Sequence, residues 1–187
     1  MSLLLFPDNT VLVNFAYLHR MDLLERLARN PAWCGTVAAE CARSSGQPDL
    51  EDMSEAARIF GEPLRPESPV EHLMVRAYKT RLSRPGDGPY KNLGEAETLA
   101  IIECRSLRAI FVTDDNGPGL LLARQGGRTS PITVVTTWEL LRVAAKAGYA
   151  DRDTLWSYVH ILRGKARHQP PGDAARDRNA FDRWLDQ

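Results

Sequence analysis

The chain has 187 residues, 43% hydrophobic and 26% charged, with 24 Lys and Arg balanced by 24 Asp and Glu. That length can bury a sizeable core, so no disulfide or metal staple is needed for folding. A net charge of zero excludes a general positive field that would draw the protein onto nucleic acid or anionic lipid; any such role must rest on local basic patches or bound cations.

Cys34, Cys41 and Cys104 form no CxxC or Cys/His spacing, which argues against a disulfide framework or a structural zinc and points to a reducing cytoplasm. The apolar run at residues 2–6 is too short for a secretion signal and lacks a basic flank, and no stretch approaches membrane-spanning length. The expectation is a soluble, cytoplasmic protein with no membrane partner.

In chain order, residues 3–6 read as a short strand closed by Pro7, with Asp8 at its end. Asn9 or Thr10 can cap the following helix, in which Val11, Leu12, Phe15, Leu18, Leu23, Leu24 and Leu27 recur at roughly helical spacing. Taken alone, Asp8 reads best as a helix cap. Residues 32–37 form a weak second strand, diluted by Pro31 and Gly35, and run into a helix start that carries Glu40, a first-turn acid that complements the helix dipole. Residues 50–60 and 70–82 look helical, and Arg76, Lys79, Arg81 and Arg84 make the second stretch basic. Such a face is usually just solvated; beside a cluster of acids it could hold a polyanion. A loop at residues 84–89 follows.

Asn92-Leu93-Gly94-Glu95 fits a capping box in which Glu95 reaches back to Asn92. The helix that follows carries Glu95 and Glu97 on its flanks. Ala109-Ile110-Phe111-Val112 is a buried strand that breaks off at Thr113-Asp114-Asp115-Asn116. Gly117-Pro118-Gly119 turns the chain into a helix stopping at Gly126-Gly127. Residues 132–135 are a further strand, and Trp138 opens a helix ending near Gly148. Beyond Asp151, two helices are predicted at 154–167 and 174–185. Arg163, Lys165, Arg167 and His168 form a basic cluster there, and Trp156, Tyr158, Phe181 and Trp184 supply aromatics suited to core packing or a dimer contact.

Strands alternating with helices imply an α/β fold with a mostly parallel sheet covered on both faces. Right-handed crossovers place every strand's C-terminal end at one edge, where ligand sites of open α/β sheets lie. Asp8, Asp114 and Asp115 leave such ends directly, and Glu40, Glu95 and Glu97 sit in first turns of helices. Clustered carboxylates repel unless a cation or protons compensate. Oxygen ligands of this kind suit Mg²⁺ or Mn²⁺, which in one- or two-ion sites can activate water against a phosphodiester. Asn9, Thr113 and Asn116 are placed to orient ligands or water. His19, His72, His160 and His168 are scattered and fall in no motif. An aspartyl nucleophile on a receiver-like sheet would need a lysine after a later strand, where Trp138 stands instead.

Asp8-Asn9-Thr10-Val11-Leu12, the helix start at 37–40, Leu93-Gly94-Glu95-Ala96-Glu97 and Val112-Thr113-Asp114-Asp115 together resemble the PIN-domain family. The strand-to-helix segment at 132–141 is also similar to the end of such domains. The resemblance spans roughly residues 3–148. It implies a three-layer α/β/α fold, an acidic Mg²⁺ or Mn²⁺ site and ribonuclease activity on single-stranded or structured RNA. Many members are toxins of toxin–antitoxin pairs, held in check by a small antitoxin protein.

By position, the catalytic acids implied are Asp8, Glu40, Glu95 and Asp114, with Glu97 and Asp115 as further candidate metal ligands. The third acid lies within Glu-x-Glu, and the segment between Glu40 and Glu95 is longer than in compact toxin members. Residues 1–150 are thus expected to form the nuclease domain. Residues 151–187 would add a helical extension serving dimerisation to a homodimer, RNA contact or antitoxin docking.

Overall fold

The computed structural model describes residues 2–124 and 132–187. The helix stop expected at Gly126-Gly127 lies outside them. Among the described residues, strands β1 (Leu4–Pro7), β2 (Ala109–Val112) and β3 (Ile132–Val135) form one parallel sheet in that order, with Leu5 opposite Ile110 and Ile110 opposite Thr133. The protein is a mixed α/β structure with more helix than strand. No helix among the described residues is long and apolar enough to cross a membrane.

Side chains alternate between the two faces of a strand, and the sheet is buried on both. Leu5, Ile110 and Val112 face a core built with helices α1 (Asn9–Tyr17), α2 (Met21–Leu27), α3 (Gly35–Ser44) and α4 (Ala56–Phe60). Phe6, Ala109, Phe111 and Ile132 face the opposite way. There they meet α5 (Pro69–Leu82), through Tyr78 and Leu82, and α6 (Leu93–Cys104), through Leu99 and Ile102. The chain continues through α7 (Asn116–Arg124), α8 (Thr137–Lys146), α9 (Arg152–Gly164) and α10 (Arg178–Asp186).

Four local expectations need correction. Residues 32–37 are not a strand. Leu5 donates to Asn30 O and Ala32 donates to Leu5 O, which makes one bridge at Pro31 before helix α3 begins at Gly35. Proline brings no N–H to extend that ladder. The periodic run 11–27 is two helices, parted at a left-handed His19 with φ 52°. Asn92 adopts a left-handed φ of 61° and makes no side-chain cap; its Nδ2 donates to Leu82 O, so the capping box does not form. Finally, Gly117-Pro118-Gly119 lies inside the first turns of α7, where a proline N–H would be unused anyway.

Residues 151–187 share the core of α1 and α8. Leu155, Val159 and Leu162 of α9 and Phe181, Trp184 and Leu185 of α10 belong to the same apolar cluster as Phe15 and Trp138. Trp138 is buried edge-on against Phe181, and its Nε1 donates to His168 O at 2.8 Å. The aromatics near the C-terminus are therefore core packing within the chain. The basic cluster beside them disperses: Lys165 pairs with Asp49, Arg163 donates to Ala175 O, and Arg167 turns inward.

Candidate functional site

The C-terminal edge of the sheet delivers the acids. Asp8 N donates to Val112 O at 2.8 Å and Thr113 N to Val135 O at 2.9 Å, so the ladders run one residue past the strands and set the segments side by side. Asp8 is buried and caps α1, its Oδ2 accepting from Thr10 N at 3.1 Å and Thr10 Oγ1 at 2.6 Å. Burial raises its pKa above the usual carboxylate range; the bonds from Thr10 oppose that shift, and the charge of nearby Asp114 adds to it.

Asp114 is held by three donors. Asn14 Nδ2 reaches its Oδ2 at 2.6 Å, Thr137 Oγ1 the same oxygen at 2.9 Å, and Thr137 N its Oδ1 at 2.8 Å. Asn14 and Thr137 are themselves fully buried and bonded to each other at 2.9 Å. Sequence reasoning missed both. The available signal was an amide inside the otherwise apolar face of residues 11–16 and a second threonine after β3.

Glu40 and Glu95 approach from α3 and α6. Burial pushes the Glu95 carboxyl up to about 8, with the charges of Asp8 and Asp115 adding, Lys91 opposing, and Glu40 adding a little more. Burial likewise pushes Glu40 up to about 7, with Asp8 adding, Arg43 opposing and Glu97 adding. The two helices meet closely at Gly94, where a β-carbon would lie 2.9 Å from Val37 Cγ2 and 3.5 Å from Glu40 Oε2.

The other candidates have structural partners. Glu97 accepts from Gly35 N at 3.0 Å and from Thr36 Oγ1, replacing the side-chain cap that Cys34 does not provide for α3. Asp115 Oδ1 accepts from Gly117 N at 2.9 Å and so caps α7, while its own N–H donates to Thr113 Oγ1. Asn9 Nδ2 donates to Ser44 Oγ at 3.4 Å, and its Oδ1 is buried without a hydrogen-bond partner. Asn116 is exposed at the start of α7.

Asp8 thus acts through its charge on both Glu40 and Glu95, and Asp114 acts on Asp8. Glu97 and Asp115 are instead bonded at helix starts and add their charges to Glu40 and Glu95 respectively. Among the described residues, no three His, Cys, Asp or Glu side chains are already drawn together as a coordination shell. The donor set is nevertheless of the right chemistry for a hard divalent cation. It is all carboxylate and amide oxygen, three of its acids resist ionisation in isolation, and the cations that relieve them come singly, Lys91 at Glu95 and Arg43 at Glu40. The chain matches no family model, no curated protein and no solved structure.

Proposed function

We propose that the chain is a metal-dependent ribonuclease with a PIN-like, three-layer fold, and that Asp8, Glu40, Glu95 and Asp114 hold Mg²⁺ or Mn²⁺. The observation that carries this reading is the placing of Asp8 and Asp114 at adjacent strand ends, with Glu40 and Glu95 near enough to Asp8 for its charge to raise the pKa of both. The bound ion would supply a nucleophilic water at neutral pH and neutralise charge on the phosphodiester. The protein's part is positional. Thr10 fixes Asp8, Asn14 and Thr137 fix Asp114, and the Gly94 contact brings α6 and Glu95 up to Glu40.

A polyanion has a place to lie beside these acids. A cleft between the end of α5 and the starts of α6 and α7 is lined by Arg84 and Lys91 together with the acids Asp87, Glu95 and Asp115. Tyr90, next to Lys91 in the loop, is exposed and offers a ring for base stacking. The choice of RNA over DNA, and a role as the toxin of a toxin–antitoxin pair, rest on the sequence resemblance.

The test is cleavage of single-stranded and structured RNA with Mg²⁺ or Mn²⁺. Asp8→Asn is expected to lose at least about 100-fold in rate. Cleavage no faster than that of the variant, at any ion concentration, would defeat the proposal. The second reading is an inactive PIN-like scaffold, favoured by the helix-capping work of Asp8, Glu97 and Asp115. Titration calorimetry separates the two, since a scaffold gives no divalent-ion heat that disappears in an Asp8/Asp114 double variant.

A further inference from the structure

We propose that Arg167, delivered by the segment between α9 and α10, is a positioning residue of the acidic site. The inference rests on the metal-site reading above and concerns how that site keeps its shape.

Arg167 Nε donates to Asn14 Oδ1 at 2.7 Å, and its Nη2 donates to Thr10 O at 3.1 Å. Each partner touches one of the two aspartates. Asn14 Nδ2 donates to Asp114, and Thr10 donates through N and Oγ1 to Asp8. One guanidinium therefore stands a single residue removed from both acids.

The chemistry of the groups makes this contact directional. An amide can turn over and exchange its oxygen for its nitrogen, but a guanidinium only donates. With Arg167 in place, the Asn14 oxygen must face it, which commits both Nδ2 hydrogens to Asp114 Oδ2 and Thr137 Oγ1. Without Arg167, the fully buried Asn14 would leave its oxygen unpaired. A reversed amide would then present oxygen to the Asp114 carboxylate, with like partial charges in contact. Asp114 would lose a donor and its fixed orientation.

The backbone is built to make this delivery. Ala166 closes α9 in a left-handed conformation, φ 53°, and Arg167 N donates back to Leu162 O at 2.8 Å. A side chain at positive φ is disfavoured and persists where surrounding contacts fix it. The next residue, His168, is held through its carbonyl by Trp138 Nε1. The turn that reverses the chain is thus anchored immediately after the arginine.

The experiment uses the full chain with Arg167→Met, which keeps the unbranched stem as far as the Nε position and removes the donors, and Arg167→Gln, which keeps one donor group. Mn²⁺ affinity is read by calorimetry, and the Asn14 side-chain amide resonances by NMR on the ion-free protein. Arg167→Met is expected to lose about 10- to 100-fold in Mn²⁺ affinity and to shift the Asn14 resonances, with Arg167→Gln losing less. A folded Arg167→Met within twofold of wild type, with Asn14 unmoved, overturns the proposal. If Arg167→Met does not fold, Arg167→Gln decides by the same criteria, and failure of both to fold also overturns it, because Arg167 would then serve the fold alone. A wild-type chain that binds no Mn²⁺ and cleaves no RNA ends the nuclease reading instead, while the Asn14 resonances still report whether Arg167 sets the amide.

Discussion

Asp8 accepts from Thr10 through one carboxylate oxygen, while burial and the charge of Asp114 resist its ionisation. Asparagine caps a helix about as well as aspartate, so Asp8→Asn keeps the start of α1 and removes only the unfavourable charge. The ion-free variant is expected to melt at or above the temperature of the wild type, and divalent ions should raise its midpoint much less. Paired thermal melts with chelator and with Mn²⁺ measure both, and a variant that melts well below wild type in chelator would mean the charge itself stabilises the fold. Asp8 and Asp114 follow strand ends and Glu95 opens a helix, as the sequence implied. Glu40 and Glu97, expected in first turns, lie in the second turns of α3 and α6, because α3 starts at Gly35 and α6 at Leu93. Glu95 and Glu97 lie two residues apart on α6, roughly 200° around the helix, so they must diverge. Only the packing of α3 against α6 decides that Glu95 meets Asp8 and Asp115 while Glu97 meets Gly35. Asn14 and Thr137 were invisible for a similar reason, because their meaning lies in contacts 100 and 123 residues away.

At the scale of elements, β2 and β3 fall where their apolar runs place them, since short buried strands ending at polar residues leave few alternatives. Residues 32–37 misled because a run flanked by Pro31 and Gly35 makes a single bridge to β1, and the carboxylate of Glu97 draws Gly35 into a helix start instead. That start and the start of α6 are in contact, and two glycines there are expected to behave oppositely. A β-carbon at Gly94 would lie 2.9 Å from Val37, a buried β-branched side chain with nowhere to go. Gly94→Ala should therefore cost about 1–3 kcal/mol through overpacking. A β-carbon at Gly35 would lie 2.7 Å from Arg65 Nη1, the far end of an exposed, flexible side chain that can swing away. Gly35→Ala should change stability by less than about 0.5 kcal/mol. Urea denaturation of both variants checks the pair, and equal costs would show that α3 and α6 are not packed as closely as Gly94 implies.

For the whole molecule, the acids couple stability to pH. The Glu40 and Glu95 carboxyls, raised from 4.5 to about 7 and about 8, and the raised Asp8 bind protons more tightly folded than unfolded. With folded-state values above the unfolded ones, their contribution is fully present below the unfolded pKa. It is lost as pH rises through about 7 to 8, because the unfolded chain ionises freely while the native site must separate charge from water. On the metal-site proposal, a divalent ion would reverse that slope. It would bind only the ionised native site and stabilise it in proportion to the logarithm of ion concentration over dissociation constant, a gain that grows as the carboxyls lose their protons. The difference in melting temperature between saturating Mn²⁺ and chelator should therefore be small near pH 5 and widen steadily towards pH 8. It should collapse in Asp114→Asn, which removes a candidate ligand; the amide oxygen can still accept from Asn14 and Thr137 Oγ1, while the bond from Thr137 N is lost. A gap of constant size across that range would mean that Mn²⁺ binds away from the edge where β1 and β2 end.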